Sequence, residues 1–220
     1  MDRWDWGFAL DILPDLLRGL LITFVATVLG SVLAYSLGLV FALLLRTGFA
    51  PLTVVVRGFI EFVRSTPLLV QLYFLFFVLP QTFGITLGSL TVGVIGLGVH
   101  YSTYTAEVYR AGIDAVPRGQ WEAALALNLP QRRTWTGVIL PQAIPRVLPA
   151  LGNYTISMFK ETPLLLAIGV LELVGAAQQA GGNAFRYLEA YTLAGLFFLL
   201  LSYPSGLLLR RLERRVGLAS

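Results

Sequence analysis

Long uncharged apolar runs, separated by short arginine-bearing segments, set the pattern of the chain. A helix crossing about 30 Å of hydrocarbon needs about 20 apolar residues, and five stretches meet or approach that length. The first runs from about Gly19 to Leu45, without a charge between Arg18 and Arg46. The second covers about Thr66 to Leu79 and extends backward through Phe59-Ile60-Glu61-Phe62-Val63, if Glu61 and Arg64 are tolerated near one end. The third covers about Leu87 to Tyr109, the fourth about Leu148 to Ala176, and the fifth about Ala190 to Leu209. The pattern predicts an all-α membrane protein of five transmembrane helices, a single domain over residues 1–220. The external loops, about Pro80 to Gly84 and Gln178 to Glu189, are too short for a second domain. Neither a solenoid-type repeat nor an inverted duplication is evident.

Charge gives the orientation. With five spans the termini lie on opposite sides, and a cytoplasmic C-terminus places twelve cations inside: Arg46, Arg57, Arg64, Arg110, Arg118, Arg132, Arg133, Arg146, Arg210, Arg211, Arg214 and Arg215. Only Arg3, Arg18 and Arg186 fall outside, with Lys160 at membrane depth. Cytoplasmic loops carry the Lys/Arg excess, so the N-terminus is predicted outside. Residues 1–18 then form an external segment in which Trp4, Trp6 and Phe8 alternate with Asp2, Asp5, Asp11 and Asp15. It reads as an interfacial helix on the outer surface, the alternative being a frayed tail.

Composition agrees with a membrane chain. Of 220 residues 56% are hydrophobic and 13% charged, about half the charged fraction of a soluble domain, and mean hydropathy is +0.75. The absence of cysteine excludes disulfides and thiolate chemistry, and the single His100 argues against a zinc site. The opening residues lack the basic n-region of a signal peptide.

One cytoplasmic segment, residues 110–147, is built rather than merely connecting. Pro117 suits a first helical turn, and Gln120 to Leu127 continues as a short helix. Its apolar stripe contains Trp121, Ala124 and Leu125, with Gln120 and Glu122 facing away. Asn128 stands where the helix must stop and tolerates the left-handed conformation that stops it. Pro130 opens a second short helix through Arg132, Arg133 and Trp135. Prolines 141, 145 and 149 then predict a bent approach to the fourth span.

Glu122-Ala123-Ala124, then Asn128, then Val138-x-Leu140-Pro141 resembles the EAA loop of ATP-binding-cassette import permeases. Asn128 and Val138 stand where that family usually has Gly and Ile. Further blocks resemble the polar amino acid (histidine/glutamine-type) subfamily: Arg64-Ser65-Thr66-Pro67-Leu68-Leu69-Val70-Gln71, Glu107 to Gly112, Val116 to Gln120, Leu140 to Ala143 and Lys160 to Leu164. Together they span most of residues 16–212 in the expected order. Finer details, Leu127-Asn128-Leu129-Pro130, Tyr104 to Ile113 and Met158 to Pro163, look most like ectoine/hydroxyectoine permeases. The resemblance implies a type I importer permease in a bacterial inner membrane. It carries coupling residues Gln120, Glu122, Ala123, Ala124, Asn128, Leu140 and Pro141 for a cytoplasmic ATPase dimer. It also implies an extracytoplasmic solute-binding protein and a second permease chain, itself or a paralogue. No phosphate loop occurs, so this chain is expected to hold no cofactor or metal. ATP and Mg belong to the ATPase.

Ionisable side chains at membrane depth cost about 2.5–3.5 kcal/mol on insertion scales and mark internal paths or partners. Lys160, Glu161 and Thr162 lie a dozen residues into the fourth span. Pro163 cannot donate to the Phe159 carbonyl, which predicts a free acceptor beside them. A cation, a carboxylate, a hydroxyl and a carbonyl together suit a zwitterionic solute, and the three side chains are candidates for the translocation path. The alternative is that Lys160 pairs with a carboxylate to fix helix packing. Arg64, Thr66 and Gln71 are second-span path candidates, although Glu61 and Arg64 also suit an ordinary i,i+3 pair. His100 with Tyr101 and Tyr104 reads as packing rather than a proton relay. Gly93, Gly96 and Gly98 read as sites of close helix approach, and the stripe from Leu193 to Leu201 as lipid-facing. Two other classes are weighed. An intramembrane enzyme has only the isolated Glu107, Glu161 and Glu172 to support it. An ATP-independent carrier leaves the residue 110–147 loop unexplained.

Overall fold

The computed structural model describes residues 4–215, apart from the Arg215 side chain. Asp2 and Arg3 of the segment expected to be external, and the Arg215 side chain, therefore lie outside the described residues. Every regular element among them is helical. The short α1, Trp6–Asp11, is capped by Asp5, whose carboxylate accepts from the Gly7 and Phe8 amides. One residue later α2, Leu13–Leu45, begins with Pro14 in its first turn. The cap and the packing of Ala9 and Ile12 against the molecule exclude a frayed tail for this stretch.

The second apolar run is broken. Helix α3, Ala50–Arg64, turns through 102° into the segment Leu68–Phe83, which comprises α4 (Leu68–Tyr73), a π-turn (Phe74–Val78) and α5 (Leu79–Phe83). The expected backward extension exists, but as a separate helix. Pro67 disfavours helical geometry at Thr66 and has no N–H to continue the ladder. Helix α6, Ser89–Asp114, runs through the middle of the chain, packed chiefly on α2.

The segment 110–147 holds α7, Arg118–Ala126, and the one-turn α8, Gln131–Thr134. A π-turn, Trp135–Ile139, leads into α9, Leu140–Glu161. The three prolines predicted to bend the approach do not interrupt the helix. Pro141 sits in the first turn, where no donor is missed, and Pro145 and Pro149 lie inside a continuous helix. Each proline misses a bond to the carbonyl four residues back, which for these two belongs to Pro141 and Pro145. A 3₁₀ turn, Thr162–Ile168, ends the fourth run, and α10, Leu173–Ala184, follows at 50°. Helix α11, Tyr187–Arg215, closes the chain.

By length and composition α2 and α11 could each cross a membrane alone, and the two bent pairs raise the number among the described residues to four. In their most apolar windows only 28% of α2 and 6% of α11 are buried. Lipid or another chain must cover the rest. Helix α2 meets α6 through a seam that includes the small residues Gly30, Ala34 and Gly38, which face Leu97, Thr105 and Ser102 and let the backbones approach closely. The predicted close approaches on α6 are present. A Cβ on Gly93 would stand 2.9 Å from Leu165, and on Gly96 or Gly98 2.5 Å from Leu72 or Leu33. The core lies where α2, α4, α6 and α9 converge, around Ala34, Leu72, Leu97, Tyr101 and Met158.

Candidate functional site

The break between α3 and α4 leaves backbone carbonyls that side chains satisfy. The Gln71 amide donates to the Val63 carbonyl at 2.7 Å, the Thr66 carbonyl at 3.1 Å and the Thr66 hydroxyl at 2.8 Å. Its oxygen faces His100 Nδ1 at 3.2 Å. Thr66 in turn donates to Phe62 and Val63. These two path candidates thus hold the broken helix together, and their hydrogen-bonding groups are engaged within the chain. Arg64 differs. It stands 4.0 Å from Glu61, as an i,i+3 pair, and its guanidinium lies 5.1 Å from the centre of the Tyr104 ring.

Tyr104 belongs to an aromatic group with Tyr101 and His100 from α6 and Tyr154 from α9. Tyr104 and Tyr154 centroids are 5.7 Å apart, Tyr101 and Tyr154 5.9 Å, and His100 and Tyr104 5.4 Å. Glu161, two turns beyond Tyr154 on the same face of α9, faces the Tyr101 phenol. Its Oε2 is buried without a hydrogen-bond partner. Arg64 thus marks one end of an aromatic strip and Glu161 the other. Tyr154 was missed in the sequence reading, although its seven-residue spacing from Glu161 places both on one helical face.

Lys160, Glu161 and Thr162, expected from the sequence to line the translocation path together, face different surroundings within this chain. Consecutive helical residues are about 100° apart, and the three point different ways. Thr162 is fully buried, and its hydroxyl donates to the Phe159 carbonyl at 2.9 Å, so the acceptor predicted to be free is taken. Lys160 faces a cleft of about 600 Å³ between α9 and α11, which Asn153, Ser202, Tyr203 and Arg210 also line. Asn153, Ser157 and Lys160 make an exposed polar face on α9. The other isolated carboxylates have structural partners. Glu172 is buried as the N-cap of α10, accepting from Gly175 at 2.8 Å, and Glu107 pairs with Arg110 at 3.0 Å.

The segment 110–147 is a compact unit. Asn128 adopts the left-handed conformation, φ 49°, as its position predicted. Leu129 N–H reaches the Ala124 carbonyl at 3.0 Å and Asn128 N–H that of Leu125 at 2.9 Å, the paired bonds of a Schellman stop. Trp121 packs edge-on against Trp135, 5.2 Å between centroids, over Ile113, Val116, Ile139 and Ala143. Gln142 beside Pro141 donates to Gln120 at 3.2 Å, and Arg146 to the Ala115 carbonyl. The predicted stripe divides: Trp121 and Ala124 face the chain, but Leu125 points outward, 80% exposed. Glu122, Ala123 and Leu127 are exposed beside it, while Leu140 lies half-buried at the start of α9.

An all-helical architecture among the described residues, with a broken apolar helix pair and the exposed short helix α7, is what a membrane transport subunit would show. Residues 34–218 match the family described as binding-protein-dependent transport system inner membrane component, and the chain belongs to it. It is therefore a membrane-embedded permease component and not an enzyme, ATP hydrolysis falling to a separate ATPase. The probable amino-acid ABC transporter permease protein y4tG of Sinorhizobium fredii is 46% identical over 214 residues, covering 94% of this chain and 91% of that protein. The glutamine transport system permease protein GlnP of Escherichia coli is 34% identical over 215 residues, covering 97% and 98%. Among solved structures, an amino acid ABC transporter crystallised with histidines superposes with a TM-score of 0.90 at 36% identity, covering 97% of this chain and all of that one. The inward-facing MetNI methionine transporter shares the fold, with a TM-score of 0.77 at 20% identity.

Proposed function

We propose that this chain is half of a permease pair in an ATP-driven importer of small zwitterionic amino-acid-class solutes. The observation that carries the solute class is the buried, unpartnered Glu161 oxygen at one end of the Tyr101–Tyr104–Tyr154 strip, with Arg64 at the other. Buried carboxylate oxygens are normally hydrogen-bonded. A solute ammonium or delocalised cation would supply that partner and stack on the ring faces, and its carboxylate would meet Arg64. Ectoine and hydroxyectoine fit this description, as do the amino acids carried by the named relatives.

In this reading five spans cross the membrane: α2, the broken pair of α3 with Leu68–Phe83, α6, α9 with its 3₁₀ turn, and α11. The N-terminus is outside and the C-terminus cytoplasmic. Helix α6, 26 residues or about 39 Å long, carries too many polar positions to look like a lone span, because its neighbours bury them. The polar faces of α9 and α11, with Asn153, Lys160, Ser202 and Arg210, are too costly to present to lipid. A second permease chain covers them and completes the pathway. An extracytoplasmic binding protein delivers the solute. ATP and Mg, held by the ATPase dimer, drive a rigid-body switch through α7 between outward- and inward-open states.

The test is uptake by liposomes holding the complete complex, ATP and external binding protein, comparing labelled ectoine with labelled amino acids. ATP-dependent uptake of either zwitterion supports the reading, and the preferred label identifies the solute. Uptake indifferent to ATP in an intact complex refutes it.

A further inference from the structure

Three faces run along the helix that starts at Trp6 and continues past Ile12 into α2. Ala9, Ile12 and Leu16 are buried, Ile12 and Leu16 packing with Leu173, Ala177 and Ala190. Gly7, Asp11, Asp15 and Arg18 form an exposed polar face. Trp6, Leu10, Leu17 and Leu21 form an exposed apolar one, at 71%, 65%, 47% and 64%. Spacings of four and seven residues keep these on a single stripe. The stripe continues through Val25, Val28 and Val32 down the outer surface of α2.

The depth of this stripe follows from α11. Its uncharged run from Ala190 to Leu209 is long enough for the whole hydrocarbon layer, about 30 Å, so Glu189 lies at the boundary. The Asp5 amide donates to Glu189 Oε1 at 3.0 Å, and Arg186 donates to the same oxygen at 2.6 Å. Arg186 also pairs with the Asp5 carboxylate at 3.6 Å and lies 5.8 Å from the centre of the Phe8 ring. This network holds Trp6 level with the first residues of the apolar run. Beside it the α10–α11 turn presents Phe185, 85% exposed, with Tyr187, Leu188 and Tyr191 at 48%, 57% and 43%. Phe185 does so at φ 54°, a strained conformation for a bulky residue. Aromatic side chains at this depth belong in the headgroup layer.

We propose that α1 and the α10–α11 turn form one interfacial anchor, with Trp6, Leu10, Phe185 and Tyr187 immersed in the headgroup layer and the Asp5–Arg186–Glu189 network setting their depth. That the leaflet is the outer one rests on the orientation proposed above; the immersion does not.

The chain has no cysteine, so Leu10→Cys and Asp11→Cys can each carry one spin label in the complete complex, assembled with cysteine-free partner chains. The complex is placed in vesicles of phosphatidylethanolamine and phosphatidylglycerol. The expected result is a label at residue 10 that is severalfold more accessible to oxygen than to an aqueous nickel chelate, and the reverse at residue 11. Arg186→Gln should abolish the difference while the complex stays assembled. Equal water access at both positions overturns the proposal. So does a water-exposed residue 10 that becomes protected only when the solute-binding protein is added, which would make the surface a protein dock. Whole-cell labelling of Asp11→Cys with a membrane-impermeant thiol reagent separates the two readings. Labelling only after lysis refutes the outside N-terminus and moves the anchor to the inner leaflet.

Discussion

The side-chain amide of Gln71 reaches back across a 102° break to the Val63 carbonyl, 2.7 Å away, and so ties the start of α4 to the end of α3. Gln71→Leu keeps the volume and removes the donors. It leaves the Thr66 carbonyl without its donor, at about 1–3 kcal/mol for a buried unsatisfied group, while the Val63 carbonyl keeps the Thr66 hydroxyl. The complex should melt at lower temperature in detergent, with His100→Ala less harmful because it removes only one neighbour of Gln71. Equal melting temperatures for wild type and Gln71→Leu would show that the break is held by other contacts.

That relationship also marks where sequence reading stops. Periodicity and charge located α2, α6 and α11 to within about six residues at each end, because a long apolar run has few alternatives, whereas the fourth run, expected from about Leu148 to Ala176, divides into α9, its 3₁₀ turn and α10. Asn128 was legible as a left-handed stop because its neighbours left the helix no other way to end. The roles of Gln71 and Thr66 were not legible. A polar side chain at membrane depth looks the same whether it meets a solute or caps its own backbone, and only the bend at Pro67 creates the carbonyls they serve. For Lys160 and Glu161 adjacency in sequence is not adjacency in space. On a helix it places them on different faces.

Glu161→Gln removes the charge but keeps the shape and the contact with Tyr101. If the carboxylate receives the cationic end of the solute, the charge-assisted bond is worth about 1.5–3 kcal/mol, or roughly ten- to hundredfold in the KM for uptake. Assembly and basal ATPase activity should be unchanged. Tyr154→Phe should be nearly neutral and Tyr154→Ala severe, since the ring face and not the hydroxyl is proposed to act. Unchanged uptake kinetics in Glu161→Gln would remove this residue from the pathway.

Asn128 sits at φ 49°, with both Schellman bonds in place. A β-branched residue there opposes the left-handed backbone by about 1–2 kcal/mol, whereas glycine adopts it freely. Asn128→Val should therefore reduce ATP-coupled uptake and loosen the segment after α7, detectable as faster amide exchange at Leu129. Asn128→Gly should behave like wild type. A defect of equal size in both variants would mean that the side chain, not the backbone, matters.

Leu125 makes no contribution to its own chain's core, being 80% exposed at the tip of α7, next to Leu127 at 73%. Two large apolar side chains at the end of a short helix, on the face proposed to be cytoplasmic, are costly in water and suited to a partner's groove. Placing a charge in such a buried contact typically costs more than the about 2 kcal/mol that defines a hot spot. Leu125→Asp should therefore lower the amount of ATPase that copurifies with the permease and abolish uptake, while the permease alone keeps its melting temperature. Ala124→Asp, at the buried position one residue earlier, should instead lower that melting temperature, because it drives a carboxylate among the chain's own packed residues. If Leu125→Asp retained full ATPase recovery and transport, the docking face would have to lie on the Glu122 and Ala123 side of the helix.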